Sequence, residues 1–162
     1  MDIFLTPNQV KVITDLIEKG AVVKIGDTGM IIKKDPENEI IIEEILEIDV
    51  ARLPDDDFRY LAKELNKVFR GKAYFAVELI AYIFIREMLY LKYKKRDPRA
   101  VISEPSVGKN LSKNMKDVLR FFESQKIVRD GLEHIRGMRV SKPEATSTMR
   151  MVKRFLELLP LE

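Results

Sequence analysis

The chain contains no cysteine, and it has a single histidine, His134. The absence of cysteine excludes disulfide bonds, thiolate zinc sites and cysteine nucleophiles. Long uncharged runs are also missing. In the most apolar stretch, residues 73–91, the longest uncharged run is the seven residues 79–85, whereas a membrane span needs about 20 predominantly apolar residues. We therefore expect no contact with a membrane.

The composition is that of a soluble globular protein, with 46% hydrophobic and 34% charged residues among 162. The chain has one histidine, no cysteine and many Ile, Lys and Glu residues. This composition resembles that of hyperthermophile proteins. The N-terminus, MDIFLTPNQV, has no basic region followed by a long apolar run, so we expect no secretory signal and a cytoplasmic protein.

Charge is distributed unevenly along the chain. Residues 1–90 contain 12 basic and 17 acidic residues, whereas residues 91–162 contain 17 basic and 9 acidic residues, so the two parts carry net charges of −5 and +8. Basic charge concentrated in one part of a chain is the electrostatic footprint of nucleic-acid binding. A basic surface that contacts only solvent would give the same uneven distribution of charge.

The stretch 73–91 is the feature around which the fold is predicted to form. Only three of its 19 residues are charged, namely Glu78, Arg86 and Glu87. Its apolar residues point in every direction around a helix instead of along one stripe, so such a helix must be covered on most sides. We predict a central core helix, shared by two halves of the protein or half buried by a second copy of the chain.

The residues before this helix predict an α+β arrangement. Thr6 and Pro7 are typical of a helix start, and apolar residues follow at helical spacing from Val10 to Ile17. Three β-branched runs separated by turn residues then predict a small three-stranded antiparallel sheet. We expect an N-terminal α+β subdomain over residues 1–52 and a connecting helix over residues 53–71, whose first residues include the acidic run 55–57.

The residues after position 98 alternate between predicted helices and strands. Residues 99–102 predict a short strand, and residues 103–111 a short helix. Ser112 is a capping residue for a longer helix, whose buried side consists of Met115, Val118, Leu119 and Phe122. Residues 127–129 and 135–140 predict two further strands. Ser141 and Glu144 form a capping box for a C-terminal amphipathic helix.

This order of elements resembles the winged-helix version of the helix-turn-helix over residues 73–140. The closest local match is SKNMKDVLRFFESQKIV, which resembles the third-helix pattern of winged-helix regulators, although Lys126 stands where the family often has glycine. The resemblance implies an α+β protein in which the N-terminal helix and sheet are followed by a winged-helix-like domain, residues 72–162, around the long apolar helix.

The resemblance also implies a surface for duplex DNA. The helix that starts at Lys113 would enter the major groove, where Lys and Arg address guanine or phosphate and Asn addresses adenine. The wing would bring further cations to phosphates or to the minor groove. The expected DNA-binding residues are Lys113, Asn114, Lys116 and Arg120 on the helix, and Arg129, His134, Arg136 and Arg139 on the wing. Asp117, on the same helix, would repel phosphate.

These expectations define the predicted function and its rivals. We predict a small cytoplasmic DNA-binding protein, either a transcriptional regulator or an accessory factor of DNA processing, which acts as a homodimer, without a cofactor and without catalysis. The first rival is a non-catalytic subunit that uses the same module to dock on a protein partner. A less favoured rival is a metal-dependent nuclease, with carboxylates at Glu39, Glu43, Glu44, Glu47 and Asp49 as ligands for a divalent ion.

Overall fold

A computed structural model of the protein describes residues 7–18, 23–25, 30–34, 40–44, 46–125 and 139–159. The chain divides into two compact units, Met1–Leu46 and Glu47–Glu162. The helix that we expected to connect two domains lies within the second unit.

The first unit contains one helix and a small sheet. Its elements are α1 (Pro7–Glu18), β1 (Val23–Ile25), β2 (Met30–Lys34) and β3 (Ile40–Glu44). The strands are antiparallel in the order β1-β2-β3, and Ile32 pairs with Val23 on one side and Ile42 on the other. Helix α1 packs against β1 and β2. Val10, which we predicted for the apolar face of α1, is 47% exposed.

The second unit is a bundle of helices preceded by a 3-10 turn at Val50–Arg52. Its helices are α2 (Asp56–Arg70), α3 (Tyr74–Tyr93), α4 (Pro98–Ser103), α5 (Pro105–Gly108), α6 (Lys113–Ser124) and α7 (Lys142–Leu158). Helix α3 packs against α2, α4 and α7, and α6 packs against α4 and α7. The core of this unit therefore forms around α3.

The predicted core helix is present as α3, and much of its surface is covered. Val77, Ala81, Phe84, Ile85, Met88 and Leu89 are fully buried. The exposed large apolar residues of α3 are Ile83, Tyr90 and Leu91, with 41 to 44% of each exposed. Despite its length, α3 does not qualify as a membrane span, and neither does any other helix within the described ranges.

The predicted α+β class with a winged-helix-like domain is wrong. The described chain is mostly helical, its strands are the three short segments of the first unit, and the described part of residues 47–162 contains no strand. Residues 99–102, predicted as a strand, belong to α4. The reason is a helix start signal: the Asp97 side chain accepts a hydrogen bond from Arg99 N at 3.0 Å, and Pro98 occupies the first helical position.

The predicted wing falls mostly on residues that the structure does not describe. Residues 127–129 and most of residues 135–140 lie outside the described part of the chain. Arg139 and Val140 are described, and neither belongs to a strand. The predicted start of the C-terminal helix, by contrast, is confirmed. Ser141 and Glu144 form a capping box, and α7 buries Met149, Val152 and Phe155.

The turn between α2 and α3 places a lysine where a glycine is usual. Lys72 has a φ of 59°, whereas Gly71 has a φ of −73°. Ala73 N donates to Val68 O at 2.9 Å and Lys72 N donates to Phe69 O at 3.0 Å. These two bonds are the Schellman motif, in which the left-handed residue is most often glycine.

Candidate nucleic-acid interface

Helix α6 carries the side chains that were predicted to contact DNA, and its own sequence determines where it starts and which side it buries. The Ser112 hydroxyl accepts a hydrogen bond from Met115 N at 3.1 Å, which caps the helix. Met115, Val118, Leu119 and Phe122 are at most 3% exposed. The predicted cap and the predicted buried side are both confirmed.

Three kinds of contact hold α6 in place. Its apolar side packs against α4 and α7. Arg99 Nε of α4 lies 3.8 Å from Glu123 Oε1 of α6. At the end of α6, the buried Gln125 amide donates to Thr148 Oγ1 of α7 at 2.9 Å. Helix α6 is therefore fixed from one side, and its opposite side is left to solvent.

The exposed side of α6 is a polar stripe. At 3.6 residues per turn, Lys113, Asp117, Arg120 and Ser124 lie opposite the buried residues, and all four are exposed; we call them the outward stripe. Asn114 flanks the stripe on one side and Lys116 on the other. Asn114 is exposed and Lys116 is half-buried. The structure thus places Lys113 and Arg120 on the outward stripe, with Asn114 and Lys116 on its two opposite flanks.

An ion pair lies in the middle of the outward stripe. Arg120 Nη1 is 3.5 Å from Asp117 Oδ1, and the two side chains are 63% and 53% exposed. Asp117 is the only carboxylate on this stripe. An exposed pair at this spacing contributes little to the stability of the fold. Its effect is to place a carboxylate in the middle of a stripe whose other charged residues are basic.

A short helix and a tight turn lead into α6. Helices α4 and α5 adjoin at Glu104, and residues 109–112 connect α5 to α6. The end of α5 lies close to the backbone of α4. Glycine at position 108 makes this possible, because a Cβ there would lie 2.1 Å from Ile102 O. Lys109 and Asn110 in the turn are exposed, so the polar surface continues from α6 into the turn.

The predicted wing residues are only partly described. Arg139 is exposed and directly precedes the segment that leads into α7. Arg129, His134 and Arg136 lie outside the described residues. The structure therefore describes all four helix residues of the predicted DNA-binding set and, of the wing residues, only Arg139.

The cations at the end of α3 serve local structure. Lys94 has a φ of 57° and its Nζ donates to Leu91 O at 3.2 Å. Lys95 Nζ lies 2.9 Å from Glu104 Oε2. Arg96 Nε donates to Glu87 Oε1 at 2.9 Å, and its guanidinium lies 4.1 Å from the centre of the Tyr90 ring.

These local contacts affect two pKa values. The Lys95 ammonium, which donates to Glu104, lowers the pKa of that carboxyl from its usual 4.5. The hydrogen bond from Arg96 to Glu87 raises the pKa of the Arg96 guanidinium. Sequence reasoning missed both pairs, because the partners come together only through the left-handed residue Lys94 and the chain reversal that follows α3.

The carboxylates proposed for a nuclease site have other partners where the structure describes them. Glu47 Oε1 lies 3.3 Å from Arg70 Nε. Asp49 caps the 3-10 turn by accepting from Ala51 N at 3.1 Å, and it lies 3.4 Å from Arg52 Nε. Glu39 is outside the described residues, and so are the side chains of Glu43 and Glu44. Within the described ranges, no group of three or more His, Asp or Glu side chains is arranged to hold a metal ion.

Comparisons with known proteins give no relative. No family model, curated protein or solved structure matches the chain. A function has to be inferred from the residues and their geometry.

Proposed function

We propose that the protein binds duplex DNA in the cytoplasm by presenting the exposed side of α6 to the major groove. The observation that carries the proposal is the two-sided character of α6. One side is buried against α4 and α7, and the other presents Lys113 and Arg120, with Asn114 and the half-buried Lys116 at its flanks. A transcriptional regulator and an accessory factor of DNA processing both use such an activity.

The exposed residue types suit the chemistry of the groove. Arg and Lys donate to guanine O6 and N7, and Asn forms two hydrogen bonds with adenine. Lys and Arg also contact phosphates, which positions a helix on the duplex without reading its sequence. The groove is about 12 Å wide, and an α-helix with its side chains is about 10–12 Å across, so α6 has the right size to enter it.

The way in which α6 is held also supports the proposal. A recognition helix must keep its side chains in register with the bases, and α6 is capped by Ser112, packed on two helices and tied by the buried Gln125–Thr148 bond. A helix that is already rigid loses less conformational entropy on binding. The excess of basic residues after position 90 adds long-range attraction to DNA.

The direct test is fluorescence anisotropy with a labelled random-sequence duplex, titrated with protein at low and at moderate salt. We expect micromolar binding that weakens steeply as salt increases, because binding releases counterions from the phosphates. Absence of binding at low salt contradicts the proposal.

A matched pair of variants locates the binding surface. Lys116→Glu combined with Arg120→Glu reverses two cations four residues apart on α6. Lys63→Glu combined with Lys67→Glu makes the same change at the same spacing on α2, where both residues are exposed. We expect the α6 variant to lose binding and the α2 variant to retain most of it. Equal losses mean that net charge, and not α6, provides the affinity.

The protein-docking alternative has its own signature in these experiments. It predicts no duplex binding by the unaltered protein, together with capture of a specific protein that the α6 charge reversal abolishes and the α2 charge reversal does not.

A further inference from the structure

We infer that Asp117 selects the base at one position of the bound DNA, with its carboxylate accepting a hydrogen bond from the amino group of a cytosine. The inference rests on the proposed function, since it concerns the same surface of α6. It goes further by naming a preferred base and the residue that reads it.

The position of Asp117 is the first step. It lies one turn after Lys113 and one turn before Arg120 on the outward stripe, opposite the buried side of the helix, and its side chain is 53% exposed. When a helix enters a groove, the residues in the middle of its outer side face the base edges, and those on its flanks and ends approach the sugar-phosphate backbone. Asp117 is therefore placed to meet bases.

The charge of Asp117 is the second step. A carboxylate on a surface that approaches phosphates weakens binding to every sequence by repulsion and by loss of its hydration. The single 3.5 Å contact with Arg120 offsets only part of this loss, and a donor on the DNA offsets the rest. In the major groove, the pairing that suits Asp is acceptance of a hydrogen bond from cytosine N4. Other bases at that position leave the carboxylate without a partner on the DNA, so Asp117 penalises them.

The neighbour of Asp117 gives the third step. Arg120 Nη1 lies 3.5 Å from Asp117 Oδ1, so the two charged groups lie side by side in the middle of the outward stripe. Arginine addresses guanine O6 and N7. A carboxylate and a guanidinium one turn apart can thus contact a cytosine and a guanine at neighbouring positions, and the preferred site contains G·C pairs beneath the middle of α6.

The test is selection from a random duplex library with the unaltered protein, Asp117→Asn and Asp117→Ala. We expect the unaltered protein to enrich cytosine at one position. Asp117→Ala loses that preference, a change of roughly tenfold between bases, and binds random duplex about two- to five-fold more tightly. Asp117→Asn shifts the preference to adenine, because a side-chain amide pairs with adenine N6 and N7.

Asp56→Asn is the matched control. Asp56 lies on α2 with Arg59 three residues later, and their side chains are 3.0 Å apart, so the variant changes the same kind of pair at a different surface. It retains the selection of the unaltered protein. Asp117 is exposed, and circular dichroism of both Asp117 variants is expected to show unchanged helix content.

The outcomes separate this inference from the proposed function. If the unaltered protein and Asp117→Ala select the same sequences, or if the unaltered protein selects none, the inference about Asp117 is overturned while DNA binding stands. If the unaltered protein does not bind duplex at low salt, the proposed function is overturned and the inference with it.

Discussion

The side chain of Asn66 on α2 pairs with both backbone groups of Ile48. Asn66 Nδ2 donates to Ile48 O at 2.9 Å, and Asn66 Oδ1 accepts from Ile48 N at 2.8 Å. Both residues are buried, with exposed fractions of 7% and 4%. The amide thus imitates one step of a β-ladder and fixes the start of the second unit against α2.

The first prediction concerns Asn66. Asn66→Ala leaves the buried N–H and C=O of Ile48 without partners, and we expect a loss of about 2–4 kcal/mol in the free energy of unfolding, measured by urea denaturation. The control is Asn110→Ala, which removes an exposed amide whose Nδ2 donates to Ser106 O at 2.9 Å. A similar loss in both variants contradicts the assigned role of Asn66.

The second prediction compares two glycines. Gly108→Ala places a Cβ 2.1 Å from Ile102 O, whereas the nearest atom to a Cβ at Gly71 is Lys67 O at 3.3 Å. We expect Gly108→Ala to cost about 1–3 kcal/mol, because the backbone of α4 or α5 must shift, and Gly71→Ala to be nearly neutral. Thermal denaturation followed by circular dichroism measures both. Equal melting temperatures for the two variants would contradict the close contact between α4 and α5.

The third prediction concerns the left-handed residue after α2. Lys72 has a φ of 59°, a conformation that costs a residue with a Cβ about 1 kcal/mol and glycine almost nothing. We expect Lys72→Gly to stabilise the protein by up to about 1 kcal/mol. Lys63→Gly, inside α2, is expected to destabilise it by a similar amount. Destabilisation by Lys72→Gly would contradict the geometry of this turn.

The fourth prediction concerns pH. The pKa of Glu104 is lowered by the ammonium of Lys95, so the ionised carboxyl contributes stability above its usual pKa of 4.5, and this contribution disappears as pH falls through the lowered value. Glu104→Gln is therefore less stable than the unaltered protein at pH 7, and the two converge in strong acid. In a Lys95→Ala background the same substitution has a smaller effect. A difference that does not change with pH contradicts the pairing.

The fifth prediction concerns a second copy of the chain. We propose a homodimer that covers the exposed apolar residues of α3, and equilibrium sedimentation at micromolar concentration tests it. Ile83→Glu, at a position that is 41% exposed on α3, is expected to weaken association. Tyr60→Glu, at a 63% exposed position on α2, leaves it unchanged. A monomer throughout this range contradicts the dimer.

Local signals predicted much of the second unit. Asp55, Ser112 and Ser141 each precede a helix and each accepts a backbone hydrogen bond in the structure. Such caps depend on residues within one turn, so the sequence shows them directly. The exposed residues of α6 followed in the same way from the spacing of its apolar residues, and for this reason the helix half of the candidate site was predictable.

The prediction failed where one signal has two meanings. Asp97 and Pro98 can end one helix as well as start the next. They start α4, so Val101 and Ile102, which we predicted as part of a strand, are helical in spite of their β-branched side chains. The ion pairs from Lys95 to Glu104 and from Arg96 to Glu87 depend on the path of the backbone after α3. Helical spacing contains no information about that path.

The position of α3 in the chain has a consequence for synthesis. It packs against α2, which precedes it, and against α7, which is translated much later. At about 5–20 residues per second, the residues between α3 and the end of α7 take roughly several seconds to make. During that interval the side of α3 that α7 covers is exposed in the nascent chain. A slow or interrupted translation is therefore expected to favour aggregation through α3 before the second unit is complete.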